Sequence, residues 1–186
     1  SEQIFSVGVI DWDRKIFDEL IPLPEGTSYN AYIIRGSEKT ALIDTVDPSG
    51  EEEFIGNLIR LGIDTIDYII INHAEQDHAG SLPVLLELFP GAKICCTEKC
   101  RELLGFLLDI PAHRCQLVTT ADTLSLGNIS LEFISSPWVH WPETMLTYCP
   151  EKEILFSCDL FGSHYATSDL YVRDMAKEEI LAKRYY

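Results

Sequence analysis

Within six residues, His73-Ala74-Glu75-Gln76-Asp77-His78 gathers two imidazoles and two carboxylates, directly after the apolar run Tyr68-Ile69-Ile70-Ile71-Asn72. Polar groups carried to the end of a buried strand cost several kcal/mol of desolvation unless something compensates them, and a pair of cations would do so. On a strand His73, Glu75 and Asp77 would share a face; on a helix His73 and Asp77 would; neither brings His78 alongside both. An irregular loop that divides the four between two metals is therefore expected. Two later apolar segments end in the same way, Leu131-Glu132-Phe133-Ile134 running on to His140 and Ile154-Leu155-Phe156 running on to Asp159. Each supplies one strong ligand, and a carboxylate such as Asp159 has two oxygens with which to bridge two cations. A solvated acidic loop is the plainer reading of the six-residue motif, and the two downstream ligands weigh against it.

The elements that must position these groups alternate in type. Strands Asn30–Arg35 and Thr40–Asp44 flank Gly36-Ser37-Glu38-Lys39, a hairpin loop by length and glycine content. A helix from about Gly50 to Leu61 follows, opened by Pro48-Ser49 and by Glu51, Glu52 and Glu53, with Phe54, Leu58 and Leu61 on one face and Gly62 as its stop. Strand Asp67–Asn72 leads into the motif, then a helix Ser81–Phe89 with Pro83 in its first turn, strand Lys93–Thr97 and helix Glu98–Leu108. Short strands are expected at Gln116–Val118, Ser130–Ile134, Met145–Tyr148 and Ile154–Ser157, and the run Met175–Tyr186 reads as a helix cut off in mid-course. The pattern predicts a mixed α/β sandwich with helices outside two sheets, its function gathered in loops beyond strand ends.

With 186 residues and 46% apolar content, one domain with a substantial core is expected. A formal charge of −16, from 30 acids and 14 bases, disfavours nucleic acid and anionic membranes as partners and favours cations. No apolar run approaches the roughly 18 residues of a membrane span, and Asp11, Asp13, Asp18 and Glu19 interrupt any signal-peptide pattern, so a cytoplasmic protein is expected. Six cysteines, Cys95, Cys96, Cys100, Cys115, Cys149 and Cys158, form no C-x-x-C pair and read as free buried thiols.

The order H-x-E-x-D-H, a distant His and a distant Asp at a strand end resembles the metallo-β-lactamase fold, an αββα sandwich. Glu75 in the place of a second histidine, the phrase His140-Trp141-Pro142-Glu143-Thr144-Met145 and the run Phe156-Ser157-Cys158-Asp159-Leu160-Phe161-Gly162 closely resemble the diiron domain of flavodiiron proteins, over nearly the whole chain. The resemblance implies that His73, Glu75 and His140 hold one iron, that Asp77 and His78 hold the second, and that Asp159 bridges them. It further implies reduction of O2 to water or of NO to nitrous oxide, with electrons from FMN on a flavodoxin-like domain and from a rubredoxin-like donor, in a head-to-tail homodimer. The donor set agrees with iron: three carboxylates and three neutral imidazoles carry about −3, nearly offsetting two ferrous ions, and oxygen donors stabilise the ferric state.

The family pattern also has a last histidine well beyond the bridging Asp, whereas only His164 follows Asp159 here. That shortfall, with the missing flavin-binding segment, suggests a fragment of a longer domain. His164 is expected to lie on the surface or behind the ligands. His113 is expected in a loop, Cys158 in the core with strand alternation turning it from Asp159, and Trp138 and Trp141 either over the metals or in the core. Asp44 and Asp47 could orient a metal-bound histidine or shape a turn. Two other functions stay open: a diiron O2 sensor, which a stable, slowly oxidising adduct would favour, and a dinuclear hydrolase, which activity with zinc would favour and Glu75 disfavours.

Overall fold

β-branched runs alternate their side chains between two apolar environments, and this alternation builds the centre of the protein. The structure, a computed structural model, describes residues 3–185. Its main sheet contains β1 (Ile4–Ser6), β6 (Tyr32–Arg35), β7 (Thr40–Ile43), β8 (Tyr68–Ile70), β9 (Lys93–Cys96) and β10 (Cys115–Leu117), in that spatial order. The β1/β6 and β6/β7 pairs are antiparallel; β7 to β10 are parallel, each joined to the next by a crossover. A second, antiparallel sheet contains β11 (Thr123–Ser125), β12 (Ser130–Ser135), β13 (Met145–Cys149) and β14 (Ile154–Phe156). Two small hairpin sheets pair β2 (Val9–Asp11) with β5 (Thr27–Tyr29) and β3 (Ile16–Phe17) with β4 (Ile21–Pro22).

Period-two alternation splits the core cleanly. Ile33, Leu42, Ile69, Ile94 and Cys96 face a helical layer of α1 (Glu51–Arg60), α3 (Leu82–Leu88) and α4 (Glu98–Leu107), meeting Phe54, Leu58, Leu82, Leu85, Cys100 and Leu104. Their neighbours Ile34, Ala41, Ile43, Ile70 and Cys95 face the second sheet, meeting Leu124, Leu131, Phe133, Met145, Cys149 and Phe156. The outer face of the second sheet carries exposed Ile134 and Leu155. Helix, sheet and sheet of the αββα sandwich are thus closely packed. α5 (Met175–Tyr185) is tied back to the β4–β5 turn, where Lys177 pairs with Glu25 and lies over the Tyr165 ring.

The helices obey their end signals. Asp47 caps a 3-10 turn at Pro48–Gly50 that runs into α1, whose acidic first turn complements the helix dipole. Gly62, at φ 66°, ends it as expected, and Ile63 N–H bonds back to Leu58 O. The motif differs from the irregular loop expected: a one-turn helix α2 (Gln76–Ala79) occupies its second half, starting just after Glu75. No helix among the described residues is long and apolar enough to cross a membrane.

Candidate metal centre

Four strand ends converge on one pole of the sandwich. β7 delivers Asp44, β8 delivers His73 and Glu75, β12 runs on to His140 and Glu143, and β14 runs on to Cys158 and Asp159. α2 turns Asp77 and His78 inward one turn after Glu75. Asn72 fastens the two sheets here: its carbonyl accepts from Met145 N–H at 2.9 Å and its side-chain oxygen from the Thr147 hydroxyl at 2.7 Å.

All six expected ligands meet, in two sets that share one residue. In the first, Glu75 Oε2 lies 3.0 Å from His73 Nε2 and 3.2 Å from His140 Nε2, while Asp159 Oδ2 lies 3.5 and 3.2 Å from the same two nitrogens. In the second, His78 Nε2 lies 2.9 Å from Asp159 Oδ1 and 3.7 Å from Asp77 Oδ2. Such separations would suit ligands around a common ion, and each oxygen of Asp159 faces a different set.

Electrostatics explain why such a cluster asks for cations. Burial opposes the charge on His73, yet hydrogen bonds to Glu143 and Glu75 outweigh it and raise its pKa to about 9. Burial likewise opposes charge on His78, and the facing Cys158, Asp77 and Asp159 raise it well above the usual value. Burial raises the Asp77 carboxyl to about 6 despite His78, and its Oδ1 is buried with no hydrogen-bond partner. Asp159 is held well below the usual range: burial works against this, but the His78 charge and hydrogen bonds from His140 and His78 prevail. In the absence of metal, protons on the imidazoles compensate the carboxylates. Cations would replace those protons.

Around this set stand residues of other roles. Glu143, only 2% exposed, accepts from His73 Nδ1 at 2.7 Å and from Ala74 N–H at 3.0 Å, so Nε2 is the nitrogen turned to the metal position. No role for Glu143 follows from the sequence, because its partner is 70 positions away; its place beside a ligand histidine is the only hint. Asp18, in the β3–β4 turn, hydrogen-bonds to Glu75 and was equally silent. Of the two acids with open roles, Asp44 turns to a histidine, 3.5 Å from His78 Nδ1, and Asp47 shapes a turn, accepting from Ser49 N–H at 2.9 Å. Trp141 stands edge-on to His73 with ring centroids 5.0 Å apart, whereas Trp138 is 75% exposed and shields nothing buried. His113 lies exposed in a 3-10 turn, as expected. His164 is half-buried against the Thr27 hydroxyl and the Phe17 ring, and joins no ligand group among the described residues.

Cys158 departs from expectation. β14 ends at Phe156, so strand alternation no longer applies, and φ of 53° swings the thiol to 3.7 Å from His78 Nδ1. All six cysteines are free; Cys115 and Cys158 are half-buried and the other four fully so.

A family model described as ODP family beta lactamase matches residues 27–185. The chain belongs to that family. Among ODP-family relatives, the anaerobic nitric oxide reductase flavorubredoxin of Aliivibrio salmonicida is 41% identical over 185 residues, 97% of this chain and 37% of that protein. The flavodiiron protein from Giardia intestinalis superposes on all of this chain with a TM-score of 0.93 at 38% identity, using 46% of its own length. Rubredoxin oxygen:oxidoreductase from Desulfovibrio gigas does so with a TM-score of 0.93 at 33% identity and 47% of its length. The chain thus spans under half the length of these ODP-fold proteins, and the resemblance read from its motifs is to the right family.

Proposed function

We propose that this chain is the diiron domain, residues 1–186, of a flavodiiron-type oxidoreductase that reduces NO to nitrous oxide, O2 to water, or both. His73, Glu75 and His140 would hold one iron, Asp77 and His78 the other, and Asp159 would bridge them. The observation that carries this reading is the division of the Asp159 oxygens between two ligand sets. The names of the relatives agree with it, one a nitric oxide reductase and another an oxygen oxidoreductase. FMN and a rubredoxin-like protein would supply electrons from outside the chain, in the cytoplasm, and a second copy could bring its flavin to the irons.

The residues fit such a pair. Three carboxylates and three imidazoles form a hard, nearly charge-balancing set, and the orphaned Asp77 Oδ1 has the place of a donor awaiting an ion. When bound, two ferrous ions would supply the electrons and the open coordination positions that the reduction of a diatomic needs. The protein's own part is positional. Glu143 keeps the His73 proton on Nδ1, Trp141 covers the first set, and a cavity of about 470 Å³ beside Asp77, His78 and Asp159, walled in part by Tyr32 and Phe156, gives a small molecule room to approach.

Metal analysis of anaerobically purified protein, with visible spectra before and after air, tests the reading. About two irons per chain, a ferric band after oxidation and NO consumption with a chemical reductant are expected. Zinc despite ample iron, with ester or thioester hydrolysis, would overturn it.

A further inference from the structure

The chain curls back on itself after Asp159. Leu160 N–H bonds to Ser157 O at 3.1 Å and Gly162 N–H to Asp159 O at 2.8 Å, with Phe161 between them at φ 73°. These tight turns return His164 to the metal pole, where it shares the wall of the 470 Å³ cavity with Asp77, His78 and Asp159. Of the first ligand set only the shared Asp159 lines that cavity, so a small molecule inside it meets the second set and His164 together.

Two other elements hold the imidazole. The Phe17 ring of β3 lies 4.6 Å from it, centroid to centroid, and the Thr27 hydroxyl of β5 lies 3.0 Å from Nδ1. Thr27 is 3% exposed, and among the described residues its hydroxyl meets no other hydrogen-bond partner. A buried O–H has to donate, so it gives its hydrogen to Nδ1 and leaves the ring proton on Nε2. Burial opposes a charge on the ring, and with Arg14 and His78 it outweighs the pull of Asp159 and Glu75, which lowers the pKa below its ordinary value. His164 is thus a neutral imidazole of fixed tautomer whose donor is Nε2.

We propose that His164 Nε2–H hydrogen-bonds to the outer atom of a small diatomic held in the cavity beside the second ligand set. This contact, which presupposes the two-metal reading, supplies what the ligands cannot: Asp77, His78 and Asp159 turn lone pairs to a cation and offer no hydrogen on that side. Negative charge gathers on the outer atom as electrons arrive, and a donor fixed in advance stabilises it without reorganising. The class of molecule selected is a small one with a lone pair on its outer atom.

The full chain loaded with Co²⁺ is titrated with azide, a linear probe with outer lone pairs, and followed by the visible cobalt bands and the infrared antisymmetric stretch. Loss of a hydrogen bond to a charged group is expected to weaken azide binding roughly 10- to 100-fold in His164→Leu, which fills similar space without a donor. The parent's azide band is expected to shift on exchange into D₂O, and the His164→Leu band to lie elsewhere and stay unmoved. His164→Gln, whose amide N–H can donate from the same place, is expected to keep most of the affinity and the D₂O response. Cobalt content is measured on every sample. Two ions in the parent with azide affinity and band unchanged in His164→Leu, a His164→Gln that behaves as His164→Leu, or a parent band indifferent to D₂O would each overturn this proposal alone. Fewer than two ions in the parent would overturn the two-metal reading and this contact with it.

Discussion

His73 has carboxylates at both nitrogens, Glu143 on Nδ1 and Glu75 on Nε2, and is wholly buried. Glu143→Ala removes the acceptor that fixes the ring, and metal retention is expected to fall roughly 10- to 100-fold, as for other partners of ligand histidines. Glu143→Gln, which keeps an acceptor oxygen, should lose far less; equal losses in competition with a chelator would show that charge, not orientation, matters. Asp159→Asn should leave the second set with a weaker donor and reduce bound iron to one per chain or fewer, and parent-like metal content would sink the bridge. The raised pKa of His73 sets a pH dependence in the metal-free protein. A folded-state value above the ordinary 6.5 stabilises fully below 6.5, and this stabilisation is lost as pH rises through about 9. Thermal melts should therefore show Tm falling over that window without metal, and a shallower slope with metal bound in place of the proton. The six candidate ligands were legible because their types are costly to bury, four of them cluster in the chain and the other two follow apolar strand-like runs. Glu143 and Asp18 were not, because a hydrogen-bond partner 70 or 57 positions away leaves no local pattern.

At the scale of elements, periodicity located the long pieces and missed the short ones. α1, α3, α4 and the parallel strands have apolar faces and end signals that a window of ten residues can hold. β2 to β5 are two or three residues long, and their pairing is set by tertiary contacts. α2 was hidden because four residues give no helical period and its inward groups are ligands instead of apolar side chains. The β6–β7 hairpin tests how the sheets are clasped. A Cβ on Gly36 would lie 2.0 Å from Leu126 O, the same carbonyl that accepts from Glu38 and Lys39 N–H. Gly36→Ala is expected to cost about 1–3 kcal/mol by overpacking and to lower Tm. Iron content per folded chain should not change, since the clasp lies away from the metal centre.

For the molecule as a whole, the charge of −16 gives a long-range field that repels anions and attracts cations. Reduction by a cationic viologen radical is expected to outpace reduction by anionic dithionite at equal driving force, with the difference shrinking as salt is added; stopped-flow rates that ignore ionic strength would count against steering. The layered architecture was legible from alternation of strand and helix, while the order of strands was not, because register across sheets is decided by packing. The convergence of both sheets on one set of ligands has a consequence for biosynthesis. His78 and Asp159 are 81 positions apart, so at roughly 5–20 residues per second a ribosome finishes the first ligand loop many seconds before the bridge exists. A nascent chain at that stage offers two of the four residues of the first set and two of the three of the second, and iron would be retained only after the second sheet has closed over the first. Metal insertion would thereby be timed to the end of folding, when all the residues of both sets are in place.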